Sequence, residues 1–140
     1  MSINFFFPER KINLPQRTEL KHFIARLFEK EGFKLKNISY VFCSDKTLLE
    51  MNRQYLQHDY FTDIITFDLS SLKKEIDGEV YISIDRIKEN AANFETTFQK
   101  ELHRVIFHGA LHLCGYKDKT KRETIEMRAA EDKYLKSYFH

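Results

Sequence analysis

The stretch His108-Gly-Ala-Leu-His112-Leu-Cys-Gly115-Tyr-Lys-Asp118 has the residue types and the spacing of a metal site. Histidines four apart on a helix differ by about 40° in direction, so their imidazoles lie side by side and one divalent ion can take both. Gly115 can adopt the left-handed conformation that ends a helix and turns the chain, which brings Asp118 back toward the histidines as a third ligand. Three protein ligands leave one position open, and an open position is where hydrolysis is done. Cys114 sits inside the stretch but lies about 240° round the helix from His108, pointing elsewhere.

Imidazole and carboxylate suit zinc, so one zinc ion is the expected cofactor, with nickel or another divalent metal accepted by the same donors. The spacing reproduces that of the zinc-peptidase pattern H-E-x-x-H-x-x-G-x-x-H, with Asp118 at the last ligand and Gly109 at the glutamate that serves as general base. Glu101 points in nearly the same direction as the histidines, but roughly 11 Å toward the helix start. Peptide hydrolysis therefore lacks its base. Phosphodiester hydrolysis needs less: an ion to polarise the phosphoryl oxygen and hold the attacking water, and cations to hold the negative charge. The catalytic group would be that metal-bound water, with no side chain legible as its base. Lys117, Lys119, Lys121 and Arg122 crowd round Asp118 as candidates for contacting a phosphate backbone, although a solvated helix start is the plainer reading of any one of them.

The elements that must position these groups follow from periodicity. Ile3 to Phe7 reads as a strand closed by Pro8. From Thr18 to Glu31, Leu20, Phe23, Ile24, Leu27 and Phe28 form one apolar helical face, ended by Gly32. Asn37 to Cys43 reads as a strand covered on both faces, and Asp45 as the N-cap of a short helix through Tyr55. Ile64 to Phe67 is a strand by β-branched content, and an Asp77-Gly78 turn leads to a strand over Glu79 to Ile84, the two pairing as an antiparallel hairpin. Asp85 then caps a helix to about Asn93. A helix from about Thr97 to Leu113 carries the histidines, with Leu102, Val105, Ile106, Gly109 and Leu113 toward the core and the histidines facing a cleft edge. A last helix, Lys121 to Ser137, packs through Ile125, Ala129, Leu135 and Tyr138. This order predicts an α+β fold: a small mixed sheet of about four strands with about five helices, and the metal site at the end of a central helix.

At 140 residues the chain is expected to be a single metal-dependent hydrolase domain over 1–140. A net charge of +2 is compatible with nucleic acid without demanding it, so any binding surface must be local. Two cysteines, Cys43 and Cys114, fall short of a disulfide framework and read as reduced, buried thiols. No apolar stretch approaches the roughly 18 residues of a membrane span, and the expected location is cytoplasmic.

The metal stretch resembles the signature H-G-x-L-H-L-x-G-Y-D-H of the YbeY-type endoribonucleases, the rRNA maturation factors, in which the glycine after the first histidine is usual. Met51-Asn-Arg-Gln-Tyr-Leu-Gln-His-Asp-Tyr-Phe-Thr-Asp-Ile-Ile-Thr-Phe67 is similar to the family's L-N-x-x-Y-R-G-K-D-x-P-T-D-V-L-S-F, and Gly78-Glu-Val-Tyr-Ile-Ser83 to its G-D-I-x-I-S. The resemblance runs from about Asn52 to Glu131. It implies a metal-dependent, single-strand-specific endoribonuclease acting in small-subunit rRNA 3′-end maturation and ribosome quality control. Its partners would be ribosomal RNA, the small subunit, and ribosomal-protein and GTPase partners; we expect a monomer, away from membranes. The alternative is a ribosome assembly or RNA-binding factor whose metal is structural. The family's three-histidine site carries over to His108 and His112, while Asp118 stands where it has the third histidine and Lys117 where it has aspartate. A site of two protein ligands plus waters is the other reading. The family's arginine falls on Leu56, with Arg53 and His58 nearby as candidates for contacting RNA. Asp63 matches the family's aspartate and is a candidate to orient a histidine from behind the metal, or a turn residue at a strand start.

Overall fold

The computed structural model describes residues 1–139. In chain order it forms β1 (Ser2–Phe6), α1 (Arg17–Lys30), β2 (Lys34–Cys43), α2 (Asp45–Tyr55), β3 (Ile64–Asp68), β4 (Glu75–Ser83), α3 (Ile84–Asn93), α4 (Phe98–Leu113) and α5 (Lys121–Tyr138). The strands make one mixed sheet in the order β1-β2-β4-β3. β1, β2 and β4 run parallel, and β3 pairs antiparallel with β4, Thr66 opposite Val80. This is the α+β architecture that the alternation of apolar patterns implies.

The main core lies between one face of the sheet and α1, α4 and α5. α1 contributes the five residues its spacing predicts, Leu20, Phe23, Ile24, Leu27 and Phe28, all buried. β2 contributes Ile38, Tyr40 and Phe42, and the Tyr40 hydroxyl donates to the Ile106 carbonyl of α4 at 3.0 Å, tying the sheet to the central helix. On the other face Cys43, Leu48 and Ile65 form a smaller cluster beneath α2, so β2 is covered on both sides at its end. Both cysteines are free, and burial pushes each thiol up to about 12. Among the described residues no helix is long and apolar enough to cross a membrane.

Three expectations are corrected. Asp77-Gly78 is not a turn but lies inside β4, paired with Asn37 and Ile38 of β2. Glycine is needed there because a Cβ would sit 2.7 Å from the Phe67 carbonyl and 3.1 Å from the Leu113 side chain. The caps of α2 and α3 are Ser44 and Ser83, each accepting from the backbone N–H three residues on. The aspartates that follow them bond elsewhere: Asp45 pairs with Arg86 at 3.1 Å, and Asp85 accepts from the Asp45 N–H at 2.9 Å and pairs with Arg10 at 2.8 Å. α5 buries Met127, Ala130, Glu131 and Tyr134, whereas Ile125 is 60% exposed and Ala129 faces solvent.

Candidate metal centre

α4 begins at a Thr97 cap and runs with one side pressed to the sheet. Its closest approach is at Gly109, where a Cβ would lie 2.8 Å from Val80 Cγ1 and 3.1 Å from Ile64 Cδ1. A glutamate there would have to enter the sheet, so the residue that a zinc peptidase requires is excluded by packing. One residue earlier, about 100° round the helix, His108 faces a cavity of about 260 Å³ lined also by Asp63, Glu101, Asp118, Arg128 and Glu131.

The turn that returns Asp118 is built locally. Gly115 has φ +98°, its N–H bonds the His112 carbonyl at 3.0 Å, and the Tyr116 N–H bonds the Leu111 carbonyl at 3.1 Å. This pair of hydrogen bonds ends the helix and reverses the chain. The Tyr116 hydroxyl then donates to Glu31 at 3.0 Å, pinning the turn to the end of α1. A Thr120–Glu123 capping box opens α5 immediately afterward. Between these anchors Asp118 Oδ2 comes within 3.4 Å of His108 Nε2.

The other nitrogen of His108 is held by α5. Nδ1 donates to Glu131 Oε2 at 2.6 Å, while Glu131 Oε1 accepts from Arg104 at 3.1 Å and from Arg128 at 3.4 Å. A carboxylate bonded at both oxygens and 5% exposed is a fixed partner, and it leaves Nε2 as the nitrogen turned toward Asp118. Burial pulls the His108 imidazole down, but the hydrogen bond and charge of Glu131, with Asp118 and Asp63 behind, outweigh it and the net shift is upward. The His112 ring lies parallel to that of His108, planes 7° apart and centroids 6.2 Å apart, but it is exposed and does not line the cavity that His108 faces. Desolvation, followed by the charge of His108, holds His112 below its ordinary value.

As they stand, no group of three or more His, Cys, Asp or Glu side chains among the described residues closes round an ion. The pair at the heart of the site nevertheless has the spacing of shared ligands. Two tetrahedral ligands about 2.1 Å from a zinc ion stand about 3.4 Å from each other, and 3.4 Å separates His108 Nε2 from Asp118 Oδ2. With the tautomer of His108 set by Glu131, the imidazole and carboxylate of this pair have the chemistry that a divalent ion takes.

The remaining sequence candidates fall in different places. Asp63 lines the cavity, but its side-chain bond is to Asn90 at 3.5 Å, and Glu131 is the carboxylate on the histidine. Burial pushes the Asp63 and Glu101 carboxyls above the usual carboxylate range. Arg53 pairs with Asp59, and His58 stacks on Tyr60 with its Nδ1 2.8 Å from the hydroxyl; neither lines the His108 cavity. Lys117 lines a separate surface pocket with Tyr116 and Glu126. The Lys119 N–H bonds Glu123, and Arg122, 90% exposed, pairs with Glu126. Glu131 escaped the sequence reading although a signal for it exists, an acid on the Met127, Ala130, Tyr134 face of an amphipathic helix.

The Endoribonuclease YbeY family model matches residues 6–139. An Endoribonuclease YbeY of Cytophaga hutchinsonii is 49% identical over 134 residues, 96% of this chain and 94% of that one. Another, of Phocaeicola vulgatus, is 54% identical over 104 residues, 74% of this chain and 75% of that one. The solution structure of TM1509 from Thermotoga maritima superposes with a TM-score of 0.65 at 28% identity, covering 96% of this chain and 87% of that one. The sequence motifs, the mixed sheet and the His108 site thus converge, and the chain belongs to the Endoribonuclease YbeY family.

Proposed function

We propose that the chain is a metal-dependent endoribonuclease that cuts single-stranded RNA, acting in small-subunit rRNA 3′-end maturation and ribosome quality control in the cytoplasm. Family membership supports the endoribonuclease role. The observation that carries the chemistry is His108 fixed between two carboxylates, Glu131 at 2.6 Å on Nδ1 and Asp118 at 3.4 Å on Nε2.

His108, His112 and Asp118 would hold one divalent ion, for which zinc fits the donors best. When bound, such an ion supplies Lewis-acid polarisation of the phosphoryl group and makes water more acidic. The protein's own contribution is positioning. Glu131 holds the His108 ring through Nδ1, and the Gly115 turn delivers Asp118. Asp63, in the cavity and held above the ordinary carboxylate range by burial, is the carboxyl best suited to accept and release a proton beside the scissile bond. Arg128, 52% exposed at the cavity wall, offers a cation to the phosphate. Ribosomal RNA on the small subunit is the proposed substrate, with ribosomal-protein and GTPase partners.

End-labelled unstructured RNA, incubated with the protein with and without a chelator, tests this reading. Internal cutting that the chelator stops is expected, with duplex RNA of the same sequence spared. RNA that is bound but cut in neither condition would instead identify an assembly factor.

A further inference from the structure

A second cavity, of about 680 Å³, opens beside the one at His108 and shares Phe94, Glu101, Arg104 and Arg128 with it. The two make one groove, from His108 and Asp118 along α4 and α5 to Lys100, near the start of α4, and Lys136, near the end of α5. Its charge is uneven in an informative way. Arg104 is committed to the wall, paired with Glu131 at 3.1 Å and Asp132 at 2.9 Å. Lys100, Arg128 and Lys136 are exposed along the groove. Among the described residues neither lysine has an ion-pair partner within 4.0 Å.

At the junction of the two cavities stands Phe94, the residue that ends α3, with 58% of its surface open to solvent. An exposed aromatic face beside a line of cations is the arrangement by which proteins hold single-stranded nucleic acid, bases stacked on rings and phosphates on ammonium groups. The eight residue steps from Lys100 to His108 cover about 12 Å of helix. That is three to four phosphate steps at the stacked spacing of roughly 3.4 Å.

We propose that this groove is the subsite for the RNA strand on one side of the scissile phosphate, with Phe94 stacking a base and Lys100, Arg128 and Lys136 holding successive phosphates. The proposal rests on the endoribonuclease reading for its substrate, but its test does not need cutting. Binding of a labelled, unstructured 12-nucleotide RNA is measured in chelator, so that no chemistry intervenes, over a series of salt concentrations. Phe94→Ala should weaken binding about tenfold, and Phe94→Tyr, which keeps the ring, should restore it. The Lys100→Ala, Lys136→Ala double variant should weaken binding and flatten the log–log salt slope by about 1.4, close to 0.7 for each phosphate left without its cation. Circular dichroism on each variant confirms that these surface changes leave the fold intact. Unchanged affinity and slope in both variants, or no RNA binding by the unaltered protein, overturns the groove. If chelator-sensitive cutting persists while the variants bind normally, the nuclease reading stands and the groove falls. If the variants lose binding as expected but nothing is ever cut, the groove stands and the nuclease reading falls.

Discussion

Glu131 Oε2 lies 2.6 Å from His108 Nδ1, so the orientation of the histidine on α4 is set by a buried carboxylate on α5. The same carboxylate bonds Arg104 and Arg128 through its other oxygen. Packing of the last helix and geometry of the candidate metal centre are therefore one construction, and a change in either should be felt in the other.

Glu131→Gln keeps an acceptor for Nδ1 but removes the charge behind it. Metal affinity should fall about 10- to 100-fold, as for other second partners of ligand histidines, with a smaller change in stability. Glu131→Ala, which removes the acceptor of His108 and one of the acidic partners of Arg104 while Asp132 and Glu101 remain beside that arginine, should in addition cost about 1–3 kcal/mol. Metal titration and urea unfolding of the two variants separate positioning from packing; equal metal affinity in Glu131→Gln and the unaltered protein would remove the positioning role.

Gly109 is where α4 meets the sheet, and a methyl group would start 2.8 Å from Val80. Gly109→Ala should destabilise the fold by about 1–3 kcal/mol despite alanine's better helix propensity, because the overpacking must be relieved by moving α4 or Val80. Urea unfolding measures it. A neutral or stabilising result would mean that α4 yields easily and that glycine is not enforced.

His103 is 1% exposed; its Nδ1 donates to the Gln99 carbonyl at 2.7 Å and its ring stacks on Tyr138. Burial, only partly offset by that hydrogen bond, holds its pKa below the ordinary value. From about pH 6.5 downward the unfolded chain therefore takes a proton that the folded one resists, and stability falls with pH until the folded-state value is passed. His108, shifted upward, works in the opposite sense: its contribution is complete below its unfolded value and is lost as pH rises through its folded one. Melting curves of the unaltered protein and of His103→Leu between pH 8 and pH 5, compared by difference, isolate the first effect. The variant should lose less stability on acidification; identical slopes would show that His103 does not titrate with folding.

Much of this was legible from the chain, for identifiable reasons. The α1 face and the Gly115 turn depend on local spacing and a local backbone preference, so residue types suffice to read them. What escaped depends on distant partners. Asp77-Gly78 has the composition of a turn, but Gly78 is kept small by the Phe67 carbonyl of β3, with Leu113 of α4 behind it. Asp45 and Asp85 are good caps in isolation, yet Arg86 and Arg10 recruit them and leave the capping to the serines before them. α5 offers a plausible apolar face through Ile125 and Ala129, and its true one contains Glu131, tolerable in the interior only because His108 and two arginines meet it there.

Whether His108 and Asp118 hold an ion is decided by the metal content of the purified protein and of its His108→Ala and Asp118→Ala variants, by elemental analysis after removal of loosely bound ions. Close to one equivalent of a divalent metal is expected in the unaltered chain, with most of it lost in both variants. No metal in the unaltered protein, or full occupancy in either variant, would contradict it.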